Sequence, residues 1–220
     1  MLSDNHYSVL FTKSLSLADY IYSQLRAAIL TGELKPGDRL IEMEVAKKMK
    51  TSQAPVREAL QRLENDGLVE KHPRNSSYVT EISYEGIEEL FQIRALIEKF
   101  AIRSTSNKIT KEQCDQLQSI VGSMYKCAER DDLLMIGFFD MEFHRLICEW
   151  SGSTILVKSW MPLYSQIQRF LTQHHHEYYP DLKEIARLHE PIIDVLREGN
   201  TELAERVIEE HIALPPRRAD

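Results

Sequence analysis

No stretch of the 220 residues has the makings of a membrane span or a disulfide framework. No apolar run approaches the ~18 residues that a bilayer-crossing helix needs, and the opening MLSDNHYSVLFTK lacks the basic segment and apolar core of a secretory leader. Cysteine is scarce. Cys114, Cys127 and Cys148 are odd in number, far apart and without a CxxC pair, so reduced, buried thiols are expected. There is no internal repeat, no low-complexity tract and no HExxH helix of the kind that pairs zinc ligands with a general base. What remains is the profile of a cytoplasmic globular protein, 43% hydrophobic and 28% charged, long enough for one large domain or two modest ones. Two are expected.

The net charge of −7 is unevenly placed. Residues 1–83 hold 11 Lys/Arg and 11 Asp/Glu, whereas residues 84–220 hold 16 and 23, so the acidity belongs to the second part. An acidic total therefore does not exclude a DNA-binding first part, because local cations, not the overall charge, meet phosphates.

The texture changes near residue 80. Before it, Leu17, Ala18, Ile21, Tyr22, Leu25 and Ile29 follow a helical period that should end near Gly32. Pro36-Gly37 marks a turn, and a short helix is expected over 42–50. Ser52 is placed to cap a third helix with Pro55 in its first turn, Val56, Ala59, Leu60 and Leu63 inward, and an end at Asn65-Asp66-Gly67. Residues 68–72 and 78–82 read as two strands joined through Pro73-Arg74-Asn75-Ser76-Ser77. The order is that of a winged helix-turn-helix, and its third helix turns Gln53, Ala54, Arg57 and Gln61 outward. Short polar groups and one arginine near a helix start are what a groove-entering helix needs, although a solvated face bearing a surface arginine has the same appearance.

The stretch YSQLRAAILTGELKPGDRLIEMEVAKKMKTSQAPVREALQRLENDGLVEKHP resembles the DNA-binding domain of the GntR family of bacterial transcription regulators. The likeness lies in Leu25-Arg26-x-x-Ile29-x-x-Gly32, the Pro36-Gly37 turn, Ser52-x-x-Pro55-Val56-Arg57-Glu58-Ala59-Leu60, and Leu63-Glu64-x-x-Gly67-Leu68-Val69. That family commonly carries arginine and threonine where Gln53 and Ala54 stand here, often arginine in place of Met43, and glycine at the wing tip. The resemblance implies DNA contacts from Ser52, Gln53 and Arg57, with Arg74 and Tyr78 as wing contacts.

Beyond residue 83, six helices are expected, over 84–106, 110–130, 131–151, 153–178, 181–198 and 200–213, forming a bundle able to enclose a pocket. In the third of these, Ile136, Phe139, Phe143 and Ile147 define an apolar stripe that contains Asp140 and His144, four residues apart on one face. His189 lies on the stripe of Ile185, Leu188, Ile192 and Leu196, and His211 on that of Ala204, Val207, Ile208 and Ile212. Such a set suits zinc, nickel or manganese, although inward histidines are also satisfied by hydrogen bonds in ordinary cores. His174, His175 and His176 are consecutive and ~100° apart around a helix, so they cannot converge, and a solvated cluster is expected. Arg94, inside the stripe of Ile87, Leu90, Phe91, Ile97 and Ala101, needs an anion, either Glu98 one turn on or the carboxylate of an effector.

The bundle resembles the FCD effector-binding domain that follows this DNA-binding domain in the FadR subfamily. Its metal-binding members carry the same Asp-x3-His, His, His pattern, which maps onto Asp140, His144, His189 and His211. Six helices instead of seven imply the VanR-like branch. The division expected is an N-terminal arm over 1–14, a winged domain over 15–82, an FCD domain over 83–213 and a tail over 214–220. The resemblance implies a homodimeric repressor that binds a short inverted repeat in double-stranded DNA and answers to a small carboxylate at a metal, not an enzyme and not a membrane protein. The competing expectations are a metal-free acyl-CoA or fatty-acid sensor and a metallohydrolase. The second lacks a general base, because Glu142 lies off the metal-facing stripe.

Overall fold

The computed structural model describes residues 16–72 and 76–213. By contact they divide into one unit of 16–29 with 34–80 and another of 30–33 with 81–213. In the first, α1 (Leu17–Leu30) buries Ala18, Ile21, Leu25 and Ile29 on one face. Leu17, counted into that face by its spacing, is exposed at the helix start.

A strand not expected from the sequence, β1 (Arg39–Ile41), leads into α2 (Glu42–Lys48), which is followed by α3 (Gln53–Asn65). Val56, Ala59, Leu60 and Leu63 form the buried face of α3. Its end is specified chemically. Gly67 has φ +71°, its N–H donates to the Glu64 carbonyl, and the Leu68 N–H donates to the Leu63 carbonyl, both at 3.0 Å. This is a Schellman arrangement, closed by the fully buried Leu63 and Leu68.

Strands β2 (Val69–His72) and β3 (Ser76–Val79) complete an antiparallel sheet of order β1-β3-β2, with Val69 opposite Val79 and His72 opposite Ser76. The second strand begins two residues earlier than the sequence pattern implies. Ser76 and Ser77 are buried ladder residues, not loop, because β1 pairs along the other edge of β3, with Leu40 opposite Ser77. The wing tip at 73–75, with Arg74, lies outside the described residues, as do the expected arm and tail.

The second unit is helical throughout: α4 (Tyr84–Ser106), α5 (Lys111–Ala128), α6 (Leu133–Trp150), α7 (Thr154–Tyr178), α8 (Lys183–Arg187), α9 (Glu190–Glu198) and α10 (Thr201–Ile212). α4 packs on α6, α7 and α10, while α5 packs on α6, α8 and α9. Ser83, Thr110, Asp132, Ser153 and Asn200 each cap a helix start with a side-chain oxygen. Among the described residues no helix is long and apolar enough to cross a membrane.

Where one helix was expected over 181–198 there are two, α8 and α9. Pro191 is the cause: it has no N–H to give the Arg187 carbonyl, and its ring disfavours helical geometry at the residue before it. The break exposes Leu188 and leaves His189 fully buried between the two segments. The bundle thus has seven helical segments, and helix number no longer separates the two FCD branches.

Two glycines report opposite packing. A Cβ at Gly137 in α6 would lie 2.7 Å from Thr172 Oγ1 on α7, whereas one at Gly122 in α5 would meet nothing within 4 Å. Gly122→Ala should therefore gain the helix-propensity difference, about 1 kcal/mol. For Gly137→Ala the overpacking cost of about 1–3 kcal/mol should outweigh that gain. Urea denaturation should show opposite shifts in midpoint, and a stabilised Gly137→Ala would contradict the close α6–α7 approach.

Candidate metal centre and DNA-reading helix

On α3, the buried face fixes the outward one. Ser52, Gln53, Ala54 and Arg57 are exposed. Ser52 stands at the N-cap in extended conformation, but its hydroxyl accepts no capping bond, contrary to the expectation from residue type. Gln61 is tied to its own helix, donating to Glu64 at 3.0 Å and Asn65 at 3.4 Å.

Arg57 has a partner that the sequence reading missed. Its Nε donates to both carboxylate oxygens of Glu42 at 3.2 Å and its Nη2 to Oε2 at 2.9 Å, while its side chain stays 61% exposed. Glu42, at the start of α2, thus holds the guanidinium in place without burying it, a fork geometry suited to bidentate pairing. Nothing in the spacing of α3 could reveal this, because the partner comes from another element. Tyr78, on β3 between Arg39 and Glu70, is part-buried, its ring 4.7 Å from that of His72.

In the bundle, Asp140 and His144 on α6, His189 at the α8–α9 break and His211 on α10 each offer one ligand atom, and these atoms lie within 4.8 Å of one another. Their surroundings set the tautomers. His144 Nδ1–H donates to Glu98 Oε2 at 2.5 Å, and His189 Nδ1–H donates to the Ile185 carbonyl at 2.8 Å. Each ring therefore turns an Nε2 lone pair inward. His144 Nε2 lies 3.1 Å from His211 Nε2, and His189 Nε2 lies 3.2 Å from Asp140 Oδ1. The second contact sets a lone pair against a carboxylate oxygen, and a cation between the two relieves it. Asp140 Oδ2, His189 Nε2 and His211 Nδ1 are buried without hydrogen-bond partners. A carboxylate and three imidazoles, with unpartnered atoms on Asp140, His189 and His211, fit a borderline divalent ion such as zinc.

The electrostatics favour the ligating forms. Asp140 lies below the usual carboxylate range against the opposing effect of burial, and the Arg94 guanidinium is the fixed positive charge that favours its ionised form. Burial lowers His144 despite the Glu98 carboxylate, and burial with the neighbouring His189 and His144 lowers His211 well below its usual value. Both rings are thereby kept neutral.

Glu98, expected only as a possible partner of Arg94, is the hub behind this set. Besides His144 it accepts from Arg94 Nε at 2.7 Å and from Trp160 Nε1 at 2.8 Å. Burial would raise its pKa, but Arg94 and His144 bring it to about 2. Arg94 is not fully consumed by the pair, since Nη2 is buried, without a hydrogen bond, and 3.9 Å from Asp140 Oδ2.

Arg94, Asp140, His189 and His211 line a cavity of about 40 Å³. The expectation for the histidine run is corrected in part. His176 is exposed and lies 3.2 Å from Asp131, and His174 is half-buried, stacked on Phe170 with Nδ1 near the Phe170 carbonyl. His175, however, is 2% exposed and lines the cavity. His174 lines it as well, so two of the three reach the cavity because α7 packs on α4 and α6, and only His176 stays outside.

Two family models match the chain: the FCD domain over residues 89–214, and "Bacterial regulatory proteins, gntR family" over residues 17–79. The "Probable D-xylose utilization operon transcriptional repressor" of Paenarthrobacter nicotinovorans is 29% identical, over 84% of this chain and 80% of that protein. The HTH-type transcriptional repressor RspR of Escherichia coli K12 is 28% identical over 87% and 84%. Among solved structures, E. coli McbR/YncC has a TM-score of 0.73 at 23% identity, over 90% of this chain and 94% of that one, a likeness of fold.

Proposed function

The chain belongs to the gntR family of bacterial transcriptional regulators and carries an FCD domain, and from that premise we propose that it is a homodimeric repressor whose grip on an operator is set by a small carboxylate bound at a metal. It is a regulator, not an enzyme. Its work is differential binding in the cytoplasm, and no bond need be made or broken.

Ser52, Gln53 and Arg57 would meet double-stranded DNA in the major groove, with Arg74 and Tyr78 at the wing, and a dimer would present two such helices to a short inverted repeat. Asp140, His144, His189 and His211 would hold the ion, zinc in the first instance, with nickel or manganese as the other candidates. When bound, the ion supplies a Lewis-acidic position for a carboxylate oxygen. Arg94 Nη2 would take the other oxygen, and the Glu98 hub would keep His144 and Arg94 aimed.

The observation that carries this reading is the convergence of four ligand atoms, several buried without partners, beside an unpaired guanidinium N–H in one small cavity. The cavity's size argues against a long acyl chain or a coenzyme A thioester. An effector shifts DNA affinity only by its preference for one packing of the bundle over another. Fluorescence-anisotropy titration of a selected duplex should show affinity falling with salt. It should weaken further on adding a small carboxylate, only while the metal is present. An acid response that survives chelation would contradict the proposal.

A further inference from the structure

Two residues lining the proposed effector cavity, His175 and Tyr179, are explained neither by the ligand set nor by Arg94. His175 is 2% exposed, its Nδ1 is buried without a hydrogen bond, and it lines the cavity together with Tyr179, whose ring lies 6.1 Å away. Burying an imidazole with an unpartnered nitrogen is costly unless something polar meets it.

Charge then limits what can sit there. The buried Arg94–Glu98 pair cancels, and Asp140 offsets half of a divalent ion's charge, leaving one positive charge for a ligand to match. Among the described residues that line the cavity Arg94 is the one arginine or lysine. A second carboxylate beside His175 and Tyr179 would find no lysine or arginine among the described lining residues to pair with, and an unpaired buried charge is disfavoured. A hydroxyl can donate to or accept from either group.

Resting on the reading of this cavity as an effector site, we infer that His175 and Tyr179 form a hydrogen-bonding pole selecting short hydroxylated monocarboxylic acids over plain alkanoic and dicarboxylic acids of the same length. The carboxylate lies at the Arg94 end and a hydroxyl further along the chain meets His175.

Calorimetric titration of the zinc-loaded full-length protein with three-carbon probes tests this. Glycerate should bind at least about tenfold more tightly than propanoate or malonate. In His175→Phe glycerate should fall to the level of propanoate while propanoate is unchanged, and His175→Gln, which retains a donor and an acceptor, should keep part of the preference. Propanoate or malonate matching glycerate would overturn the inference. So would a glycerate preference that survives in His175→Phe, since it would then come from the metal, or an equal weakening of all three acids. If the acids bind without discrimination, only the selecting pole is lost. If the zinc-loaded protein binds none of them, the effector-site reading falls with it.

Discussion

His211→Ala should bind zinc on the order of 10²–10³-fold more weakly than the parent chain while remaining folded. Four-ligand structural zinc sites are worth about 10–16 kcal/mol in all, so removing one ligand of four removes roughly 2.5–4 kcal/mol, and each 1.4 kcal/mol is about tenfold. His211 is the milder choice because its Nδ1 has no hydrogen-bond partner and its Nε2 meets only the ligand nitrogen His144 Nε2, at 3.1 Å. His144→Ala is expected to cost metal affinity as well, but it also strips Glu98 of one partner at a fully buried carboxylate and so should lower stability at the same time. Competition against a chelating dye, with circular dichroism as the folding control, separates the two effects. Unchanged zinc affinity in folded His211→Ala would remove that residue from the ligand set.

Arg57→Ala should weaken operator binding by about 1–3 kcal/mol, roughly 5- to 150-fold, the range for losing one bidentate base contact. Its effect should exceed that of Gln53→Ala. Truncating Arg57 also frees the Glu42 carboxylate, which then faces the duplex phosphates without a counter-charge. Glu42→Gln is a milder probe of the same pair. It keeps the side-chain length but weakens the hold on the guanidinium, so base discrimination should fall more than affinity for random duplex, which rests on phosphate contacts. Gel-shift titrations against a selected operator and a scrambled duplex give both numbers. Equal operator affinity for Arg57→Ala and the parent would place the guanidinium off the DNA.

What could be read in the chain was what periodicity and punctuation encode. The face of α3, its stop at Gly67 and the inward set of Asp140, His144, His189 and His211 each follow from spacing within a single element. What could not be read depends on elements distant in sequence. Three residues of β1 carry no alternation long enough to register, and their strand character exists only through pairing with β3, which also draws Ser76 and Ser77 into the sheet. The break between α8 and α9 was legible in Pro191 but was overridden by an apolar period that ran across it. Glu98 and His175 were undervalued for one reason. Spacing tells which residues share a face, whereas the partners on α6 and α7 decide what that face meets.

The claim on which the functional account turns is that the buried Asp140, His144, His189 and His211 set holds a transition metal. Elemental analysis of the purified full-length protein measures this directly, paired with a melting curve before and after chelation. The account predicts about one ion per chain and a melting temperature that falls when it is removed and recovers when zinc is restored. A folded, metal-free protein whose melting temperature does not respond to zinc, nickel or manganese would contradict it.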